Sequence, residues 1–479
     1  MIGPVTLFGL TQPLIRHVGR FAVLGVSAFS LAACASFSPN GGMTPVASRV
    51  GQELGQTAAK IVTAADEVSA MAKVEALLAK PLTADSAVQI ALLKNRGLQA
   101  EYNALGISEA DYVEASLPMS PAFSIGKLIG GGELEIERRL VGSILSLFTL
   151  PARRAVAEAE FKAASFRAVD ATFRLAAETR RAYYNAVASR QLVALLEKGQ
   201  NSAEAAADLT VKLGETGAAT KLEQARASAF YAEVSAELAE AKMRAGVDRE
   251  TLTRLMGLWG MELNFKLPGQ LPPLPDRVPS SERLEADAVT RRVDLMVARL
   301  ELEAMEKSLG LTKASRYVTA LDLAGMANTT IETGEDGTST ADAYGFEIEL
   351  EIPIFDLGET GVRRSTETYM QAVNLLAERA INIRSEVRSA YIAYRATYDI
   401  SWQYRNRILP LRETIDEQAL LEYSGMITDV FDLLTTASES IDSNVAAIEA
   451  KRDFFLAAVD FQAALIGGSG EAAAGEAEE

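Results

Sequence analysis

In Tyr344–Arg364, YGFEIELEIPIFDLGETGVRR, a strand period of two passes into a helical one. Phe346, Ile348, Leu350, Ile352 and Ile354 fall on one face, and Glu347, Glu349 and Glu351 on the other. A period of two marks a strand. Pro353 and the Asp356-Leu357-Gly358 turn end it, and a long helical pattern starts near Gly361. An earlier stretch, Glu133–Arg154 (ELEIERRLVGSILSLFTLPARR), has the same design. There Leu134, Ile136, Leu140 and Ile144 alternate with Glu133, Glu135, Glu137 and Arg139; Pro151 sits at the turn, and a long helix follows. Two strand-to-helix corners with acidic faces point to one unit used twice.

Outward from these corners the same order repeats. The first repeat covers 83–264: a helix to about Glu114, a β-hairpin over 117–149 turning at Gly130-Gly131-Gly132, a long helix over 152–213, and a returning helix over 218–258. At about 1.5 Å per residue the long helix measures roughly 90 Å, far beyond an ordinary globular helix. A crossing with five prolines, 265–281, separates the halves and reads as a rigid extended segment. The second repeat covers 282–466: a helix to about Ala314, a β-hairpin over 315–355 whose residues 329–342 read as a polar loop, an uninterrupted helix over 361–423, and a last helix over 428–466. Pro410 should kink or break the long helix. Arg180-Arg181-Ala182-Tyr183-Tyr184 in the first half matches Arg388-Ser389-Ala390-Tyr391 in the second. Residues 467–479 form an acidic tail that reads as disordered.

Composition narrows the chemistry. The net charge is −17, which argues against nucleic acid as a partner. Arg16, Arg20 and the apolar run Phe21–Ala33 read as an export signal over 1–33, too short to span a bilayer. The sole cysteine closes that run as Leu31-Ala32-Ala33-Cys34, which resembles a bacterial lipobox and makes Cys34 the candidate lipidation site, with 34–82 as a linker and short helix behind it. Ala35, where an aspartate would resemble an inner-membrane retention signal, favours the outer membrane. Cleavage before Cys34 also removes His17, the sole histidine, and leaves 45 basic against 64 acidic residues, a charge of −19. No histidine- or thiolate-based metal site, cysteine or histidine nucleophile or disulfide can then be built, so no cofactor and no catalysis are expected.

Each strand is long enough to cross a bilayer when tilted, and glutamates alternating with aliphatics suit a wall with water on one side and lipid on the other. Glu133, Glu135, Glu137, Glu347, Glu349 and Glu351 then face the lumen. Four strands cannot close a barrel, and an open sheet edge is not tolerated in lipid, so several chains must combine. Two would supply eight strands and three would supply twelve.

Over about 83–466 the chain resembles the TolC-like outer-membrane factors, the outer-membrane efflux lipoproteins. The resemblance rests on the repeated helix–hairpin–helix order with Ile107-Ser108-Glu109-Ala110-Asp111, Leu255-Met256-Gly257-Leu258, Pro353-Ile354-Phe355-Asp356 and Ile427-Thr428-Asp429-Val430-Phe431-Asp432. It implies a mainly α protein with a membrane β-barrel: a homotrimer whose twelve-stranded barrel continues into a periplasmic tube of helices. It also implies a passive exit duct of a tripartite export system, docking a periplasmic adaptor (membrane fusion) protein and an inner-membrane pump. By residue match, Asp429 and Asp432 would ring the periplasmic aperture, and the turns at Gly214, Gly217 and Gly425 would splay to open it. Lys221 departs from the family, standing where an acid is often found; it could pair with a neighbouring acid and latch the closed state. Two other classes are weighed against this. A pore-less, periplasm-spanning coiled-coil lipoprotein tether explains the rods and the anchor but leaves two acid-lined hairpins without a use. A hydrolase would have only carboxylates to work with.

Overall fold

A computed structural model describes residues 36–131, 133–278, 283–334, 337–425 and 427–468. The expected signal at 1–33, Cys34 and nearly all of the 467–479 tail lie outside them, as does Gly132 of the hairpin turn. The described chain divides into two units. One holds 106–161 and 301–370 with the start of the described chain up to Gly41; the other holds Gly42–Leu105, Lys162–Leu300 and the chain from Gln371 onward.

The first unit is built on one antiparallel four-stranded sheet in the order β1 (Ala122–Gly130), β2 (Glu133–Ser143), β3 (Ala320–Gly334) and β4 (Gly337–Glu351). The β2–β3 ladder runs from Glu133↔Glu332 to Ser143↔Asp322 and joins the two halves of the chain. The polar residues expected to form a loop over 329–342 instead extend β3 and β4. Thr329, Thr330 and Ile331 continue to pair with β2, and Thr338 and Thr340 with β3. Their β-branched side chains favour the strand although their polarity reads as loop.

The two corners differ. In the first half no turn intervenes: a single helix starts at Ile144, directly after β2, and runs through Pro151 to Glu215. The turn expected at Pro151 is therefore absent. Thr149 Oγ1 and Arg153 Nη2 donate to the carbonyls of Leu145 and Ser146 and hold the helix around the proline, whose ring removes one backbone donor. In the second half a real corner follows Glu351. Leu357 N–H donates to Pro353, and Asp356 accepts from the backbone of Gly358 and Thr360, which caps helix Glu359–Gln403. The same bonds hold the Asp356 carboxyl below its usual range. Gly358 has φ +73, and a Cβ there would lie 2.2 Å from the carbonyl oxygen of Arg316, so only glycine fits. Arg316 closes the corner through Leu357 O and Glu359.

The second unit is helical, and the duplication is visible in its ion pairs. Arg180 meets Asp85 at 2.9 Å, and Arg388 meets Glu285 at 3.0 Å. Asp85 lies in the first turn of helix Ala84–Lys94 and Glu285 in that of helix Leu284–Arg291. Each short helix breaks at one extended residue, Asn95 or Arg292, before Arg96–Ala115 or Val293–Ala314. The continuous helices expected there are thus each split in two. At the first break, Asn95 Oδ1 accepts from Leu98 N–H and its Nδ2 donates to Leu255 O, which supports the interrupted backbone. Residues 43–54, expected as extended linker, form a helix whose buried face is Met43, Val46 and Val50.

The main core packs Leu82, Ile90 and Leu93 against Tyr183, Val187, Leu252, Met256 and Ile448. The proline-rich crossing is pinned on this core by its carbonyls: Lys266 O accepts from Leu82 N–H, Leu267 O from Arg190, Leu271 O from Lys451, and Pro275 O and Asp276 O from the Tyr398 hydroxyl. The long second-half helix is not uninterrupted. A π-turn, Tyr404–Ile408, separates Glu359–Gln403 from Leu409–Ser424. Pro410 has no N–H for the Asn406 carbonyl, and the turn re-registers the ladder so that Leu409 N–H reaches back to Tyr404 O.

Candidate functional site

Two regions could carry function: the sheet, and the paired helical tips of the second unit. In the sheet, directly paired residues share a face. The register therefore places Glu133, Glu135, Glu137, Glu347, Glu349 and Glu351 on one face, joined by Asp322 and Glu332. Asp322 stands opposite Glu349 and Glu332 opposite Glu133, and like charges so placed repel. Arg139 reaches Glu347 at 2.9 Å, and Asn328 donates to Glu135 at 3.3 Å. The face is otherwise an uncompensated acidic surface of the kind that attracts cations. Asp322 and Glu332 were not picked out from the sequence because they sit at single polar positions in β3, without an alternating run around them.

The opposite face is apolar and bare. Phe123, Ile125 and Ile129 of β1, Leu140 of β2, Leu323 of β3, and Tyr344, Phe346, Ile348 and Leu350 of β4 share it and are all exposed, Phe346 by 78%. Contiguous exposed apolar surface of this kind marks a contact with lipid or protein. Toward the hairpin tips a polar band of Arg138, Lys127, Thr329 and Asp342 interrupts it, with Ile129, Leu134 and Ile331 beyond; in the band Arg138 donates to Thr329 and Thr329 to Asp342. Tyr344 lies in the Arg138 row, the position an aromatic takes at a membrane–water boundary. Among the described residues the outer edges of β1 and β4 pair with no strand. Among those residues, too, no helix is long and apolar enough to cross a membrane.

At the first helical tip, helix Ile144–Glu215 ends in two bonds, Ala218 N–H to Leu213 O and Gly217 N–H to Gly214 O, with Gly217 at φ +80. This is a Schellman closure, and the left-handed residue is the one that requires glycine. Gly214 lies inside the helix, beside the Gln224 side chain. Thr220 and Glu223 form a capping box that starts helix Lys221–Met256. Those bonds from Thr220 hold the Glu223 carboxyl below its ordinary range, although the like charge of Asp429 pushes the other way. Lys221 Nζ binds Gln224 Oε1 at 3.2 Å, so its partner is an amide and not the expected acid. Thr220→Ala should destabilise this helix start by about 1 kcal/mol. Native-state hydrogen exchange should then show the amides just after residue 220 opening roughly fivefold more often, with the sheet amides unchanged.

At the second tip Gly425 has φ −81 and is not left-handed. Asp429 is the N-cap of helix Val430–Ile466, accepting from Asp432 N–H at 3.0 Å. The two aspartates therefore have different local settings, one closing the cap and the other in the first turn. Between the tips the Arg226 guanidinium lies 4.1 Å over the Phe431 ring. Glu223, Arg226 and Phe431 join Asp429 here and were not read from the sequence, although Thr220-x-x-Glu223 is a legible capping signature.

No family model matches the chain. It is 23% identical over 299 residues to the probable efflux pump outer membrane protein TtgC and to the antibiotic efflux pump outer membrane protein ArpC, both of Pseudomonas putida. The match covers 61% of this chain and 57% of each relative, so the chain spans a little over half the length of the curated relatives it matches. Among solved structures, the outer membrane protein VceC of Vibrio cholerae aligns with TM-score 0.64 at 16% identity over 84% of this chain and 96% of that one. The Campylobacter jejuni CmeC outer membrane channel gives 0.64 at 17% over 83% and 85%. The open-state MtrE outer membrane channel of Neisseria gonorrhoeae gives 0.63 at 18% over 80% and 88%. With the duplicated helix–hairpin–helix order and the four-stranded two-faced sheet, these alignments make the chain a protein of the TolC-like outer-membrane channel fold.

Proposed function

We propose that the protein is the outer-membrane exit duct of a tripartite efflux system. The observation that carries the reading is the sheet: a bare aliphatic face, an acidic face behind it, and two open edges. In lipid such edges must be sealed, and four strands are too few to seal themselves. Three copies supply twelve strands, with the glutamates around water and Phe346, Ile348 and Leu350 against acyl chains. Lipidation at Cys34 adds an anchor in the outer membrane. A periplasmic adaptor protein and an inner-membrane pump supply the energy, and cargo passes without chemistry.

Planar-bilayer recording tests the reading. Purified protein should form cation-selective channels, and the tether reading predicts no conductance. The aperture is proposed to be ringed by Asp429 and Asp432, six carboxylates in a trimer. Asp429→Asn with Asp432→Asn keeps the cap, because asparagine caps as well as aspartate, and removes the charge. Block by divalent cations should weaken by about tenfold or more; an unchanged block removes the ring. The Arg226–Phe431 contact holds the two tips together, so Arg226→Ala should raise open probability without altering selectivity.

A further inference from the structure

The helical unit also carries a cationic feature, built from residues other than those of its tips. In the helical unit a cavity of about 480 Å³ opens between the π-turn and the proline-rich crossing. Its volume falls within the range of small-molecule sites. Lys198, Arg405 and Lys451 line it, with Gln191, Ser401 and Asn444, and no carboxylate does. In a chain of net charge −17 this is an inversion of the prevailing sign. None of the three cations makes an ion pair with a described acid. Lys451 donates to the Leu271 carbonyl at 3.1 Å, which leaves its charge uncompensated. Burial, and then the nearby Arg405, push its ammonium below the ordinary lysine range.

The two walls are irregular backbone held in place for reasons of their own. Pro410 forces the π-turn that brings Tyr404 and Arg405 to the cavity, and Gln191 fixes the crossing by accepting from Leu271 N–H at 3.0 Å. π-turns recur at functional sites. Lys198 and Arg405 are exposed and Lys451 is half-buried; like charges gathered around its ammonium raise the energy of the empty protein, and an anion relieves it. The amide and hydroxyl side chains add donors for its oxygens.

We infer that this cavity binds a small polyanion bearing two or three carboxylate or phosphate groups. The inference does not depend on the channel reading. The full-length protein in detergent is titrated calorimetrically with citrate and, separately, with pyrophosphate, in metal-free buffer of low ionic strength. Saturable binding of at least one is expected, weakening as salt is added. Binding of citrate alone assigns carboxylate, of pyrophosphate alone phosphate, and of both a site that reads charge. Lys451→Gln with Arg405→Gln should weaken affinity by about a hundredfold, roughly tenfold per charge, whereas Lys451→Arg should retain it. The helical circular-dichroism signal verifies that the variants fold. Absence of heat with both probes, or equal affinity in the double glutamine variant, overturns the inference, including the case in which a neighbouring copy fills the cleft.

Discussion

Ile348→Arg is expected to abolish assembly into the outer membrane, while Thr330→Arg leaves it intact. Ile348 lies on the aliphatic face in the row of Leu323, and its neighbours Phe346 and Leu350 are exposed beside it. In the proposed trimeric barrel, an arginine near the bilayer midplane costs about 2–4 kcal/mol per chain, three times over. Thr330 lies on the other face, between Glu135 and Ala341. An arginine there meets carboxylates and water. Membrane fractionation and detergent-resistant oligomer bands read the difference. Equal loss for both variants would mean that the sheet is not a lipid–water wall, and equal tolerance would place the aliphatic face against something other than lipid.

The second large effect is in the helical unit. Arg292 is 3% exposed and forms the break between Leu284–Arg291 and Val293–Ala314. Its guanidinium binds Asp294 through both Nε and Nη2, and Glu386 through Nη1. Asp170 stands close by, bonded to Gly468 N–H; burial first, and then the charge of Asp294, push its carboxyl above the usual range. Removing Arg292 strands the half-buried Asp294 and Glu386, with only Arg379, 4.0 Å from Asp294, as a remaining cation, which costs about 3 kcal/mol. Arg292→Ala should therefore lower the thermal midpoint of the helical circular-dichroism signal by roughly 4 °C. Adding Asp294→Asn and Glu386→Gln should recover most of the loss, since the deficit comes from stranded charge and not from lost volume. If the single variant unfolds normally, the cluster is too hydrated to matter.

Much of this was legible in the chain. The alternation at Glu347–Ile352 and Glu133–Ile136 fixed two strands and their faces, because a one-residue slip would exchange glutamate for isoleucine throughout. The duplication was legible from Arg180 and Arg388, which do make matching ion pairs. What failed were readings made one residue at a time. Pro151 signals a break, yet it sits in an unbroken helix: near its start it removes only the donor to Leu147 O, while Thr149 and Arg153 brace that turn through Leu145 O and Ser146 O. Thr329–Asp342 reads as loop because side-chain polarity masks the ladder that its backbone completes. At the tips, Glu223 and Arg226 come near Asp429 and Phe431 only because two helices some two hundred residues apart in sequence lie side by side. No local pattern announces such a meeting.

The unequal lengths of the outer strands limit how copies can be joined. β1 has 9 residues and β4 has 15, whereas the β3–β4 ladder inside one chain uses all 15 of each partner. A seam sewn from β1 of one copy to β4 of the next can thus hold no more than 9 stitches, and some of β4 must go unsewn. The leftover amides tolerate only water, so they belong to the Gly337–Asp342 end, which fixes the slide of one subunit along another. The proposed trimer should unzip along three such seams before any subunit unravels.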